Sequence, residues 1–370
     1  MGVITPYLGV FLDGRGLSSQ DIGELMAIMT VARMIAPNLW ASIADRTGNG
    51  LYIIRIGCCL ALVSFVLLFF AESYWFITLC LALSFGFWTA VVPQLEPIAL
   101  NEVEGDATKY SRVRMWGSVG FIGSSIICGA LIDQFGSDIT LSVSSALLFL
   151  LACMSFAMRQ KNVVLPKKNS DESSIWRQTF TRPFLVFIST VTLLQMSFGV
   201  YYGFFALFMR DLGYSGEQTG LFIALGVIAE IGVFMIAGRL LKTMGLRVAL
   251  SLCLFATALR WWLLAEFADI LLVLIFSQLI HALSFGFAHT AAMHFIHTHF
   301  AAGFQNRGQA LYVSISYGFG GAIGSYIAGQ MWQQGTGAYW AWLVAAAMAF
   351  LGGAISLALR QPNTSKVATS

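Results

Sequence analysis

The sequence has little charge: 21 Lys plus Arg and 18 Asp plus Glu among 370 residues, 11% of the chain. Soluble domains carry about 25% charged and about 45–50% apolar residues. With 58% hydrophobic residues and a mean hydropathy of +0.76, this chain has too little polar surface to coat a water-soluble globule. A cytosolic enzyme, a nucleic-acid binder, a secreted domain and a disordered protein are thereby excluded. The net charge of +3 implies no acidic partner. The six cysteines (Cys58, Cys59, Cys80, Cys128, Cys153, Cys253) all lie in apolar runs, without zinc-ligand or disulfide-framework spacing. The start, Met1 to Leu12, lacks a basic region and a small-residue cleavage site. No nucleophile–base pairing, HExxH motif or phosphate loop is present, so no catalytic residue, metal or organic cofactor is expected.

What the chain has instead is apolar runs of membrane-spanning length. Polar punctuation places spans at 20–43, 51–71, 75–100, 113–132, 139–158, 184–209, 218–241, 248–265, 270–298, 309–333 and 338–359, each near the ~20 residues a bilayer requires. They must be helices, since an open strand edge in lipid leaves backbone groups unpaired. Residues 1–12 form an apolar stub too short to cross, which suggests twelve helices, the first lacking its leading half. The basic residues fix orientation. One set of connections holds 17 of the 21 Lys and Arg, the opposite set only Arg15 and Arg210, and Arg33 and Arg260 fall inside spans. The expected arrangement is multi-pass in the inner membrane with a cytoplasmic C-terminus.

The longest polar stretch, Arg159 to Arg182, reads as a hydrated linker between two halves. Those halves repeat. Ala82-Leu83-Ser84-Phe85-Gly86-Phe87 returns as Ala282-Leu283-Ser284-Phe285-Gly286-Phe287, 200 residues later. Gly16, Ser18, Gly23 and Gly48 return 197 residues later as Gly213, Ser215, Gly220 and Gly245. The expected organisation is a six-helix bundle at 1–158 with helix one incomplete, a cytoplasmic linker at 159–183, a second six-helix bundle at 184–360 and a tail at 361–370. Gly117, Gly120 and Gly123, with Gly318, Gly320 and Gly324, are expected to mark close helix packing.

Parallel six-helix repeats joined by such a linker resemble the build of the major facilitator superfamily. The loop Ala44-Asp45-Arg46-Thr47-Gly48-Asn49 is similar to a shortened form of that superfamily's signature loop, which makes Asp45 and Arg46 the expected cytoplasmic gate. Arg112-Val113-Arg114-Met115-Trp116-Gly117, with Glu96 eighteen residues before Arg114, resembles the lactose permease group. In that group the matching acid and second arginine bind substrate, which implies the same of Glu96 and Arg114. The group's sugar-stacking tryptophan falls on Phe121, a departure that argues against a sugar. Arg260 and His281 match its ninth-helix arginine and tenth-helix histidine, whereas its proton-carrying glutamate falls on Ser284. Along nearly its whole length the chain is similar to the 3-phenylpropionate permease branch. The similar segments are Val31-Ala32-Arg33, residues 113–119, Tyr201-Tyr202-Gly203-Phe204, Gly226 to Glu230, Arg260-Trp261, and the pair His281 and His289.

Four charges sit well inside spans: Arg33, Glu96, Glu230 and Arg260. Each costs at least ~2.5–3.5 kcal/mol at the bilayer centre, so it faces the protein interior or a wet cavity. Arg33 and Glu230 are 197 residues apart, at matching sites of opposite charge. Pro93 and Pro97 flank Glu96, and the missing N–H of Pro97 is expected to open the helix there. His281 and His289 lie about 80° apart on an ideal helix, so one face carries both. An unperturbed imidazole titrates near pH 6.5, which suits proton exchange.

The expected function is proton-coupled symport of a small aromatic carboxylate by alternating access, with the proton as coupling ion and a monomer in the lipid bilayer. Substrate contacts fall to Arg33, Glu96, Arg114, Trp116, Phe121, Tyr201 and Tyr202. Proton coupling falls to Glu230, Arg260, His281 and His289. The alternatives are a sugar or nucleoside symporter on the same fold and, from another class, a membrane-embedded enzyme or sensor.

Overall fold

The computed structural model describes residues 1–47, 49–89, 91–103, 107–158, 175–301 and 303–359. Among them the regular elements are all helices. They are α1 (Ile4–Gly14), α2 (Ser19–Thr47), α3 (Gly50–Val66), α4 (Tyr74–Trp88), α5 (Val91–Glu102), α6 (Ala107–Phe135), α7 (Ile139–Ala157) and α8 (Ile175–Thr179). Next come α9 (Arg182–Ser197), α10 (Gly199–Asp211), α11 (Gly216–Phe267), α12 (Leu271–His281), α13 (Ala288–His299), α14 (Gln305–Tyr312), α15 (Gly321–Trp332) and α16 (Ala338–Ser356). Two π-helical segments, Ala282–Phe287 and Val313–Gly320, join α12 to α13 and α14 to α15.

Each expected span falls on helix. Eight stretches among the described residues are long and apolar enough to cross a membrane. One of them, Gly216–Phe267, has 52 residues. Gly245 divides it, at φ 75° and ψ 162°, a conformation that glycine adopts without strain. This explains why a glycine returns there in the repeat. The other repeated residues also have local roles. Gly16 and Gly213 both take positive φ, +81° and +86°, in the turns leading into α2 and α11. Ser18 and Ser215 then cap those helices reciprocally: Ser18 N–H donates to Asp21 and Ser215 N–H to Gln218, while Asp21 and Gln218 N–H donate back to the serine hydroxyls.

The opening expected at Pro93–Pro97 falls in α5 (Val91–Glu102), beside residue 90, which lies outside the described residues.

The chain divides into two compact units. The first comprises residues 1–168, 199–224 and 322–338. Within it α3 packs against α4, α5 and α7, and α1 against α10. Tyr7, Phe11, Leu12, Phe204 and Trp332 are buried there, the last two with stacked rings 4.9 Å apart. The second comprises residues 169–198, 225–321 and 339–370. Its centre is the pair Trp261 and Trp342, stacked at 5.3 Å, with the Trp261 indole N–H donating to Ser197 Oγ at 3.0 Å. Large apolar side chains such as Phe70, Trp75, Met235 and Leu272 point outward, as lipid-facing residues do.

The repeated hexapeptide behaves differently in the two units. Ala82 to Phe87 is ordinary α-helix, and its Ser84 hydroxyl donates across to the Ala61 carbonyl at 2.9 Å. Ala282 to Phe287 is π-helix, and Ser284 donates to Ile280 of its own helix at 3.1 Å. Identical residues in two conformations mean that tertiary contacts create the π-turn. Such turns recur at functional sites.

Candidate functional site

The seven residues expected to touch substrate all lie in the first unit. Arg33 projects from α2 with its guanidinium 4.3 Å over the Phe85 ring. Its buried Nε has no hydrogen-bond partner among the described residues. Glu96 on α5 and Arg114 on α6 meet, as the short connection between them allows, with Nη1 and Oε1 4.0 Å apart. Both are more than half exposed, and an exposed pair at that distance holds little energy, so either charge is free to engage a ligand. Trp116 is 71% exposed, Phe121 half-buried, and Tyr201 buried with its ring 5.7 Å from Tyr202.

The glycines of α6 do something other than expected. A Cβ at Gly117, Gly120 or Gly123 would meet nothing within 4 Å, so these positions face open space and do not mediate packing. Arg114, Gly117 and Phe121 share one helical face, so the missing side chains leave room beside the Arg114 cation. Close packing on α6 comes further along, at Gly129. In the second unit the expectation holds at Gly320, where a Cβ would lie 2.9 Å from the Thr192 carbonyl oxygen.

The four residues expected to couple protons lie in the second unit, three of them in one network. Arg260 is fully buried, sandwiched 4.3 Å from the Trp261 ring, with Nη1 3.0 Å from His281 Nδ1 and Nη2 donating to Gln278 Oε1 at 3.2 Å. His281 Nε2 lies 3.9 Å from Glu230 Oε2, with both side chains largely buried. Two glycines bring these side chains together. A Cβ on Gly226 would press the His281 ring at 3.3 Å, and one on Gly286, in the π-turn, would lie 2.8 Å from Glu230 Cγ. Phe285 stacks on His281 and meets Tyr317 edge-on, and the Tyr317 hydroxyl is 3.5 Å from His289 Nδ1. The π-turn changes the helical phase between residues 281 and 289, so the ideal-helix angle does not apply.

A third cluster, in the first unit, sits at the turns away from the basic connections. Arg210 pairs with Asp13 at 2.6 Å and Arg15 with Asp138 at 2.8 Å. Asp133, at the end of α6, accepts from Gly216 N–H at 2.6 Å and Glu217 N–H at 2.9 Å, capping α11 at its positive end. Gln334 does the same for α2, accepting from the Ser19 N–H at 2.8 Å and from its hydroxyl. Glycines close the gaps. A Cβ on Gly23 would lie 2.6 Å from Gly329 Cα and 2.7 Å from the Ser325 carbonyl oxygen, and one on Gly220 would lie 2.7 Å from the Ser125 carbonyl oxygen. Gly216 meets Gly129 in the same way. The Tyr7 hydroxyl is 2.9 Å from the Ser125 carbonyl and 3.0 Å from that of Gly216. Residues of α2 and α6 thus meet residues of α11 and α15 through close glycine contacts within this unit.

Asp45 and Arg46, the expected gate, fall on the last turn of α2, and their side chains lie outside the described residues. So does most of the linker at 159–183, and the tail at 361–370. Sequence reasoning passed over Gln278, Tyr317, Asp133 and Gln334. Asp13 was also missed, although its separation from Arg210 equals the sequence-repeat offset of 197.

The model of the MFS_1 like family matches residues 1–344. The chain is 29% identical, over 92% of its length and 89% of the relative's, to an Escherichia coli (strain K12) protein described as a probable 3-phenylpropionic acid transporter. It is 25% identical to the maltose permease of Geobacillus stearothermophilus, over 90% of this chain and 85% of that one. Its fold is similar to the crystal structure of the nucleoside transporter NupG, with a TM-score of 0.86 at 16% identity, covering 97% of this chain and 95% of that one.

Proposed function

The chain belongs to the MFS_1 like family, and from that premise we propose that it carries a small aromatic carboxylate across the inner membrane together with a proton. Membership makes it a multi-pass membrane transporter of the major facilitator fold. The finer reading is carried by one observation: a carboxylate, Glu230, is held against His281 inside an apolar bundle while the buried cation Arg260 engages the imidazole. A buried carboxylate facing an imidazole takes up and releases a proton at far lower cost than one clamped by a guanidinium. The substrate carboxylate is assigned to Arg33, which has the Phe85 ring under its guanidinium to suit an aryl group, or to Arg114, with Phe121 two turns along the same helical face. Alternating access exposes these groups to one side at a time, with a monomer as the working unit, the C-terminus cytoplasmic and the proton as coupling ion.

A second reading, sugar or nucleoside symport, is favoured by the Tyr317 hydroxyl and His289 Nδ1, 3.5 Å apart, which suit a hydroxylated ligand. Counterflow in proteoliposomes separates the two. Labelled 3-phenylpropionate should exchange, and unlabelled aryl acids should compete while maltose and uridine do not. The reverse order of competition would replace the first reading by the second.

The open face of α6 gives a direct test of the substrate site. Gly117→Leu places a side chain beside Arg114, starting from a Cβ position that meets nothing within 4 Å. Thermal stability should therefore change by no more than about 0.5 kcal/mol, as for an unpacked surface site. Uptake should fall by about tenfold or more, the effect of one misplaced group on a bound ligand. Unchanged uptake would take the ligand away from this face.

A further inference from the structure

We propose that Arg260 locks His281 as the neutral Nε2–H tautomer, so that His281 is a fixed hydrogen-bond donor toward Glu230 and not a proton relay. The inference deepens the proton-coupled reading and rests on it for its functional consequence, though the tautomer itself is decided by geometry alone.

A guanidinium has five N–H donors and no acceptor. Arg260 Nη1 lies 3.0 Å from His281 Nδ1, so Nδ1 must present its lone pair. The single ring proton then sits on Nε2, the nitrogen 3.9 Å from Glu230 Oε2. A second proton, on Nδ1, would set N–H against N–H inside a fully buried contact. Arg260 is held on several sides: Nη2 donates to Gln278 Oε1, Gln278 Nε2 donates to Ser277 Oγ, and the Trp261 ring centroid lies 4.3 Å from the guanidinium carbon. On the other side, Phe285 is nearly parallel to the imidazole, with an interplanar angle of 7°, and Phe198 meets it edge-on. On the α11 side the ring lies close against Gly226, where a Cβ would meet its Cδ2 at 3.3 Å.

Relay through an imidazole requires one nitrogen to accept a proton as the other releases one. With Nδ1 occupied by Arg260, that route is closed. Among the described residues, Glu230 faces the imidazole and the Tyr317 phenol interacts with Glu230. Glu230 is accordingly the member that exchanges the proton, and the 3.9 Å gap to Nε2 is wide enough for a bridging water or ligand oxygen, which would accept from the imidazole. The imidazole therefore asks for an acceptor: ionised Glu230 in one state, and a water or substrate oxygen once Glu230 is protonated.

Nitrogen NMR on full-length protein labelled at histidine tests this directly, with the His281 signals identified by their loss in His281→Gln. The expected result is an unprotonated Nδ1 and a protonated Nε2, both unchanged from pH 7.5 to pH 5. An ordinary imidazole titrates near pH 6.5. A protonated Nδ1, or an imidazolium forming near that pH in the native protein, would overturn the proposal. Arg260→Met should release the ring to titrate normally. Since that variant removes a buried cation and can misfold, Arg260→Lys, which keeps a donor, should preserve the tautomer.

Transport supplies a second readout. His281→Leu should lower uptake by about tenfold, the scale of a lost buried hydrogen bond to a charged group. His281→Gln, whose Oε1 accepts from Arg260 and whose Nε2 donates to Glu230, should recover most of that loss and keep its dependence on a pH gradient. A glutamine variant that transports but ignores the gradient would restore the relay and sink the proposal. If native uptake ignores the gradient, proton coupling fails while the NMR result still decides the tautomer.

Discussion

Glu230→Gln is expected to abolish uphill accumulation while leaving exchange of substrate down its own gradient. The substitution is isosteric, so it keeps the contact that Gly286 allows, where a Cβ would already lie 2.8 Å from Glu230 Cγ. What it removes is the group proposed to be charged in one state and neutral in the other. With one proton per substrate, each pH unit supports about tenfold accumulation, the equivalent of ~1.4 kcal/mol. Native vesicles with a one-unit gradient, acid outside, should reach that ratio, whereas the glutamine variant should stop near equality. Counterflow measured without a gradient separates this loss from misfolding. A variant that still accumulates would move the coupling proton to another group.

The second large effect concerns the clasp of Gly23 with Gly329 and of Gly129 with Gly216. Gly129→Leu combined with Gly329→Leu should force these contacts apart, because a Cβ at either position already overlaps opposing backbone. Overpacking costs about 1–3 kcal/mol per site. Two such sites exceed the few kcal/mol that separate alternating conformations. The helices themselves should survive, since the lost contacts lie between helices and not within one. Cys128, fully buried next to Gly129, reports the change. In a background where it is the sole cysteine, it should resist a membrane-impermeant maleimide in the native protein and react in the double variant. Net uptake should fall by tenfold or more, because a carrier that cannot close on one side cannot complete a cycle. Protection of Cys128 in the double variant would mean that this cluster is static packing.

How much of this was legible beforehand depends on which force each residue answers to. The helices could be read because a bilayer permits little else, and the spans follow from hydropathy alone. The recurring turn and cap were visible in Gly16, Ser18, Gly213 and Ser215, since positive φ and helix capping select specific residue types locally. The buried charges Arg33, Glu230 and Arg260 announced themselves by their cost in lipid. Their partners did not. Gln278 and Tyr317 are unremarkable in an apolar run and acquire a role only when α11, α12 and the π-turns converge. The glycines of α6 were misread because one composition serves two purposes: Gly129 admits a neighbouring backbone, whereas Gly117 leaves space empty. The hexapeptide at 82–87 and 282–287 states the limit plainly. Six identical residues form α-helix in one setting and π-helix in the other, so no local reading could have placed the π-turn beside Glu230.

Proton movement driven by substrate is the most direct measurement. Purified protein in liposomes enclosing a pH indicator, at zero membrane potential, receives 3-phenylpropionate outside under a downhill gradient of that anion alone. Coupled carriage acidifies the lumen at the rate of labelled uptake, and Glu230→Gln shows uptake without acidification. Entry of label in the native protein with no change in internal pH would contradict the account.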